Sequence, residues 1–199
     1  MLKSLSILAL AAAFVAPVAH ADQINGTIQA SGSDTITNNS ITFGAATVGG
    51  QSTGDFSSVL NGTPVSFAPG ALPYSLGENT TPGGSRMLFT VTAGGETFQF
   101  NIMSYTASET GSGTGAETLT VLGSGTFVGS GAIVYDPTPG NFLFTTQLVN
   151  GQTTNSTFSA SANALPSAVP EPSTLMLLGT GVFGAAGVIR RRMMGASAK

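Results

Sequence analysis

Between residues 22 and 169 the chain has no cysteine, histidine, lysine or tryptophan, and Arg86 is its only base. Each gap removes a class of chemistry. Ser-His-Asp, Cys-His and Ser-Lys nucleophile systems all need a base that is missing here. Zinc and other transition metals draw on His or Cys, which are missing too. Eight acids face that one base, giving this stretch a formal charge of −7. Nucleic acid is excluded as a partner, because neutralising phosphates takes a clustered Lys/Arg footprint. Charged residues are only 8% of the chain, against roughly 25% in an average domain. Ser, Thr, Gly and Asn fill the gap, so the surface is expected to be neutral and rich in hydroxyls. Disulfides are not needed, since a domain near this size buries about two-thirds of its surface without them.

What is present is concentrated first at the two ends. Residues 1–21 run from Lys3 through an apolar stretch over 5–18, broken near its end by Pro17, to Ala19-His20-Ala21. A cationic start, a short hydrophobic middle and an Ala-x-Ala site in this order predict a signal peptide, cut by signal peptidase after Ala21. The only histidine, His20, leaves with it.

The other end reads Pro170-Glu171-Pro172, then an apolar stretch over 175–189, then Arg190-Arg191-Arg192. The prolines lack amide donors and hold the backbone extended, so the triplet is a stiff strip that an enzyme can read. Fifteen helical residues would span roughly 22 Å, short of the ~30 Å hydrocarbon core. The sequence therefore predicts a marginal transmembrane helix over 175–189, with the arginines stopping it on the cytoplasmic side. Residues 165–174 are expected to be a stalk, and residues 190–199 a basic cytoplasmic tail.

This tail resembles the PEP-CTERM sorting signal of bacteria that make exopolysaccharide, on the triplet, the short apolar helix and the basic cluster in fixed order. It departs in a glycine- and alanine-rich helix and in residues 193–199 beyond the arginines. The resemblance implies recognition by an exosortase, a membrane protease-like enzyme that cuts near the triplet. It also implies transient anchoring at the inner membrane, then a cell-surface or extracellular position in biofilm or exopolysaccharide.

Residues 22–164 show short alternating runs separated by Gly, Pro, Asn and Ser, with no sustained helical period and no repeat of fixed length. The clearest run is 87–105, where Phe98, Phe100 and Ile102 alternate with polar residues after a Gly94-Gly95 turn, predicting a hairpin with one buried face. Similar runs lie at 24–29, 35–43, 56–60, 65–67, 117–122, 125–128, 132–135, 142–149 and 156–162. A flexible loop is expected over 107–115. This spacing predicts an all-β ectodomain over 22–164, an antiparallel β-sandwich of jelly-roll type, with ten phenylalanines between Phe43 and Phe158 for its core.

Carboxylate chemistry is what the composition leaves. Glu78, Glu96, Glu109 and Glu117 are candidates for a glycosidase pair, but each falls where a solvated charge is expected, so no enzyme is predicted. Asp34 with Asn38 and Asn39, or Asp136 with Asn141, offer oxygens that calcium accepts. Without an EF-hand loop they are better explained as turn formers, and no metal or cofactor is expected. Five Asn-x-Ser/Thr sequons, at Asn25, Asn38, Asn61, Asn79 and Asn155, follow from the abundance of those residues. The leading expectation is a structural or adhesive exported protein; the alternative is a secreted glycan-binding module. For the latter, Tyr74, Tyr105 and Tyr135 are the only tyrosines available to stack on sugar rings.

Overall fold

In a computed structural model the described residues are 22–111, 117–148, 156–166, 179–182 and 184. The chain divides into two units, Ala21–Ser167 and Met1–His20 with Ala168–Lys199. The first unit is built of ten strands: β1 (Gly26–Thr37), β2 (Ser40–Val48), β3 (Pro64–Phe67), β4 (Leu72–Pro73), β5 (Asn79–Thr80), β6 (Arg86–Ala93), β7 (Glu96–Thr110), β8 (Glu117–Ser130), β9 (Thr138–Leu148) and β10 (Ser156–Ala164). A short 3₁₀ helix, Gly54–Ser58, lies between β2 and β3.

Strand order around the sheet is β1-β10-β9-β8-β7-β6-β3-β2, and β2 pairs again with β1. Eight antiparallel strands thus close into a barrel, with β4 added on β2 and β5 on β7. The expected sandwich is wrong. A sandwich needs two facing sheets, whereas here β1 meets both β10 (Gly26↔Ala164) and β2 (Thr37↔Ser40), leaving no break in the ladder.

An eight-stranded barrel has an interior just wide enough for side chains to fill. This one is filled by phenylalanine. The rings of Phe98, Phe56, Phe127, Phe100 and Phe89 follow one another at centroid separations of 4.8–5.8 Å, and Phe67, Phe43, Phe158 and Phe144 continue the series at 4.2–5.8 Å. Small residues make room for them. The inner face of β10 is Phe158, Ala160, Ala162 and Ala164, all buried. A Cβ at Gly140 would lie 2.7 Å from the Phe127 ring, and one at Gly125 would lie 2.8 Å from Phe100 and 2.1 Å from the Asn101 carbonyl oxygen.

The β6–β7 hairpin forms as predicted, with both turn glycines at positive φ (62° and 83°) as a type I′ turn requires. Other expectations shift. The run 35–43 is two strands joined at Asn38-Asn39, and 117–122 and 125–128 are one strand, β8. Residues 132–135 are loop. The run 56–60 is not a strand: its first residues belong to the 3₁₀ helix, whose buried Phe56 packs on Phe98 and Phe127. Of the expected loop over 107–115, residues 107–110 extend β7 and 112–116 lie outside the described residues.

The expected transmembrane helix over 175–189 is also corrected. Residues 179–182 and 184 are helical, and among the described residues no helix is long and apolar enough to cross a membrane. Glycines at 179, 181, 184 and 187 each disfavour a helix by about 1 kcal/mol relative to alanine. The expected signal peptide over 1–21 with Ala19 and Ala21, the triplet Pro170-Glu171-Pro172 and the cluster Arg190-Arg191-Arg192 lie outside the described residues.

Candidate functional site

The alternation that fills the barrel also fixes its outer face. Along β7–β10 the inward positions are apolar and the outward ones are Ser, Thr, Asn and Gln, with few exceptions. This is the reverse of a membrane-spanning barrel, whose outward band is apolar. Neighbouring strands lie ~4.8 Å apart, so the register aligns polar side chains in rows. One row runs Ser104, Ser124, Asn141, Asn163 and Thr27 across five strands. Bonds within it order the side chains: the Ser104 and Ser124 hydroxyls are 2.9 Å apart, and Thr27 Oγ1 donates to Asn163 Oδ1 at 2.6 Å. The adjacent row runs Asn79, Thr106, Leu122, Leu143, Ser161 and Gln29.

Between these rows lies an open groove of about 540 Å³. Gly123 lies in its floor, paired with the inward-facing Tyr105 and Phe142, and a Cβ there would strike the buried Ile102 side chain at 2.8 Å. Nearby, Met103 is an extra residue in β7, bulged between Ile102 and Ser104. The groove has no charged residue in its lining. Leu122 (59% exposed) and Leu143 (39% exposed) stand directly opposite each other within it. Inside the barrel the space is different in kind. An apolar void of about 10 Å³, lined by Val65, Phe89 and Phe142 among others, has room for one water at most.

Glu96 stands at the start of β7, while Glu78, Glu109 and Glu117 lie toward its far end. Glu78 is exposed in the turn before β5, Glu96 opens β7, Glu109 pairs with Leu119, and Glu117 pairs with Leu148. Glu117 departs from the expectation of a solvated charge, being buried at the start of β8. The proposed calcium oxygens are also apart in kind: Asp34 is buried in β1, while Asn38 and Asn39 sit in the exposed β1–β2 turn. Among the described residues no group of three or more acidic side chains is placed to hold a metal.

The tyrosines are the clearest reversal. All three are buried. Tyr74 donates its hydroxyl to the Thr37 carbonyl at 2.9 Å, and Tyr105 donates to the Pro73 carbonyl. Tyr135 packs on Phe98. Burial raises the pKa of each; Glu109 adds to this at Tyr74, as do Asp55, Glu96 and Asp22 at Tyr135, while Arg86 opposes it at Tyr105. None is a stacking platform. The groove has no signature in the sequence, because its residues come from five strands that only the folded sheet sets in register.

Comparison with known proteins locates the other candidate site. The PEP-CTERM protein-sorting motif, as a family model, matches residues 168–192. These include the triplet and the three arginines. No curated protein and no solved structure matches the chain. The motif implies an exported protein with a membrane-anchored sorting signal and an exosortase as its processing partner. The chain is thus consistent with a PEP-CTERM sorting domain-containing protein, one that is exported and processed by an exosortase.

Proposed function

We propose that the barrel serves, after signal peptidase and exosortase have acted, as a non-enzymatic structural or adhesive protein of the cell surface or extracellular matrix, held in biofilm or exopolysaccharide. The observation that carries this reading is the division of the barrel into a filled interior and an outer face that, along β7–β9, is mostly Ser, Thr, Asn and Gln. A filled core gives a durable body. A face of Ser, Thr and Asn suits contact with hydrated, hydroxyl-rich polymer better than a dry protein interface, whose core is about 65% apolar. Catalysis is not part of the proposal, since residues 22–169 lack His, Cys and Lys.

The alternative, a secreted glycan-binding module, loses its tyrosines but gains the groove. The test is fractionation of the producing cells together with mass spectrometry of the chain. The expected result is a protein recovered in the extracellular polysaccharide fraction, with its N-terminus at Asp22 and its C-terminus near residues 170–172. Replacing Pro170, Glu171 and Pro172 by alanine should leave the unprocessed chain with the membranes. Recovery of a chain still carrying His20 in the cytosol would contradict the proposal.

A further inference from the structure

We propose that the groove across β7–β10 binds one strand of a neutral polysaccharide, with a sugar ring lying on the Leu122–Leu143 pair and its hydroxyls bonded to Ser124, Asn141 and Asn163. This rests on the matrix reading and names the partner's chemistry and the surface that meets it.

Four observations converge on this occupant. The volume, about 540 Å³, falls in the ~300–1,000 Å³ range of ligand sites. The lining alternates hydrogen-bonding side chains with a two-leucine apolar step, matching a pyranose chain whose C–H faces alternate with hydroxyl rims. No charge lines the groove, whereas residues 22–169 carry −7 overall; an acidic polysaccharide would meet repulsion without a cation to offset it. Finally, β8, β9 and β10 each have a strand on both sides, so an extended peptide has no edge there to pair with.

Preorganisation strengthens the case. The Ser104–Ser124 and Thr27–Asn163 hydrogen bonds hold neighbouring row members in place before any ligand arrives, which lowers the ordering cost of binding. Strand spacing of ~4.8 Å repeats on the scale of one sugar ring along an extended chain. The row can therefore meet successive rings rather than one.

The test is affinity electrophoresis of the mature exported protein through gels containing dextran, amylose, soluble cellulose oligomers or alginate. Retardation by at least one neutral polymer is expected, and it should persist in salt. The double variant Leu122→Asp with Leu143→Asp should bind at least about tenfold more weakly, since it puts unpaired charge against the sugar face. Asn141→Asp should weaken binding in the same sense, and Ser66→Asp, on β3, should not change it. All four positions are exposed, so folding is expected to survive; circular dichroism checks this, and Asn141→Asp alone serves if the double variant misfolds.

Equal retardation of wild type and the groove variants would overturn the groove while leaving the matrix reading intact. Retardation by alginate alone, abolished by salt, would overturn the neutral ligand. No retardation by any polymer, with the protein still in the matrix fraction, would overturn the inference without touching that reading. Absence from the matrix fraction would instead overturn the reading itself.

Discussion

Gly140 owes its identity to a ring that passes where a side chain would be, and Gly125 to the Asn101 carbonyl and the Phe100 ring together. Neither sits in the left-handed region, so conformational freedom is not the reason. Phe127 and Phe100 occupy the space instead. Gly140→Val should therefore lower the free energy of unfolding by about 1–3 kcal/mol through overpacking, read as a fall in the urea midpoint at unchanged slope. The same change at Gly77, where a Cβ would meet nothing within 4 Å, would test backbone strain alone. In the sequence both kinds of glycine read only as turn or bulge signals. Phenylalanines could be assigned to a core from alternation, but which ring faces which glycine depends on strands distant in the chain.

At the scale of the element, β10 is the strand on which closure turns. It joins β9 on one side and β1 on the other, and Thr27 bonds Asn163 across 136 positions of chain. A chain ending at residue 155 would expose the edges of both β1 and β9, with their unpaired amides and carbonyls. It should lose cooperative unfolding and aggregate, as followed by circular dichroism and light scattering; a stable, cooperatively unfolding product would show that the remaining strands close without it. Strand existence was largely legible from alternation, as the β6–β7 hairpin shows. Boundaries were less so: Gly123-Ser124 looks like a turn in sequence but lies inside β8, because pairing on both sides outweighs local preference. Phe56 departs from the expected strand for a related reason. Its alternating neighbours suit a strand, yet the ring is held by a one-turn helix packed on Phe98 and Phe127.

Across the whole molecule, buried tyrosine couples stability to alkaline pH. An unfolded tyrosine ionises near 10, and burial raises the value at Tyr74, Tyr105 and Tyr135 in the folded barrel. Their contribution to stability is fully present below the unfolded pKa. It is lost as pH rises through the higher folded values, because the unfolded chain then releases protons that the folded one retains. Ionisation would also remove the hydrogens that Tyr74 and Tyr105 donate to Thr37 and Pro73. Thermal midpoints should hold steady up to about pH 10 and decline beyond it, with the 295 nm tyrosinate absorbance rising together with unfolding. A tyrosinate signal complete near pH 10 in the still-folded protein would contradict the burial argument.

By itself the sequence determined the sorting motif, the all-β character, and a sparsely charged, hydroxyl-rich composition around a set of phenylalanines. These depend on residue type, short spacing or a period of two, all of which are local. Only the tertiary structure decided that the sheet closes, that the tyrosines point inward, and that Leu122, Leu143, Asn141 and Asn163 share one groove. The physical reason is that a sandwich and a barrel demand the same alternation along each strand. They differ in whether the first strand meets the last, a contact between residues more than a hundred positions apart that no local pattern encodes.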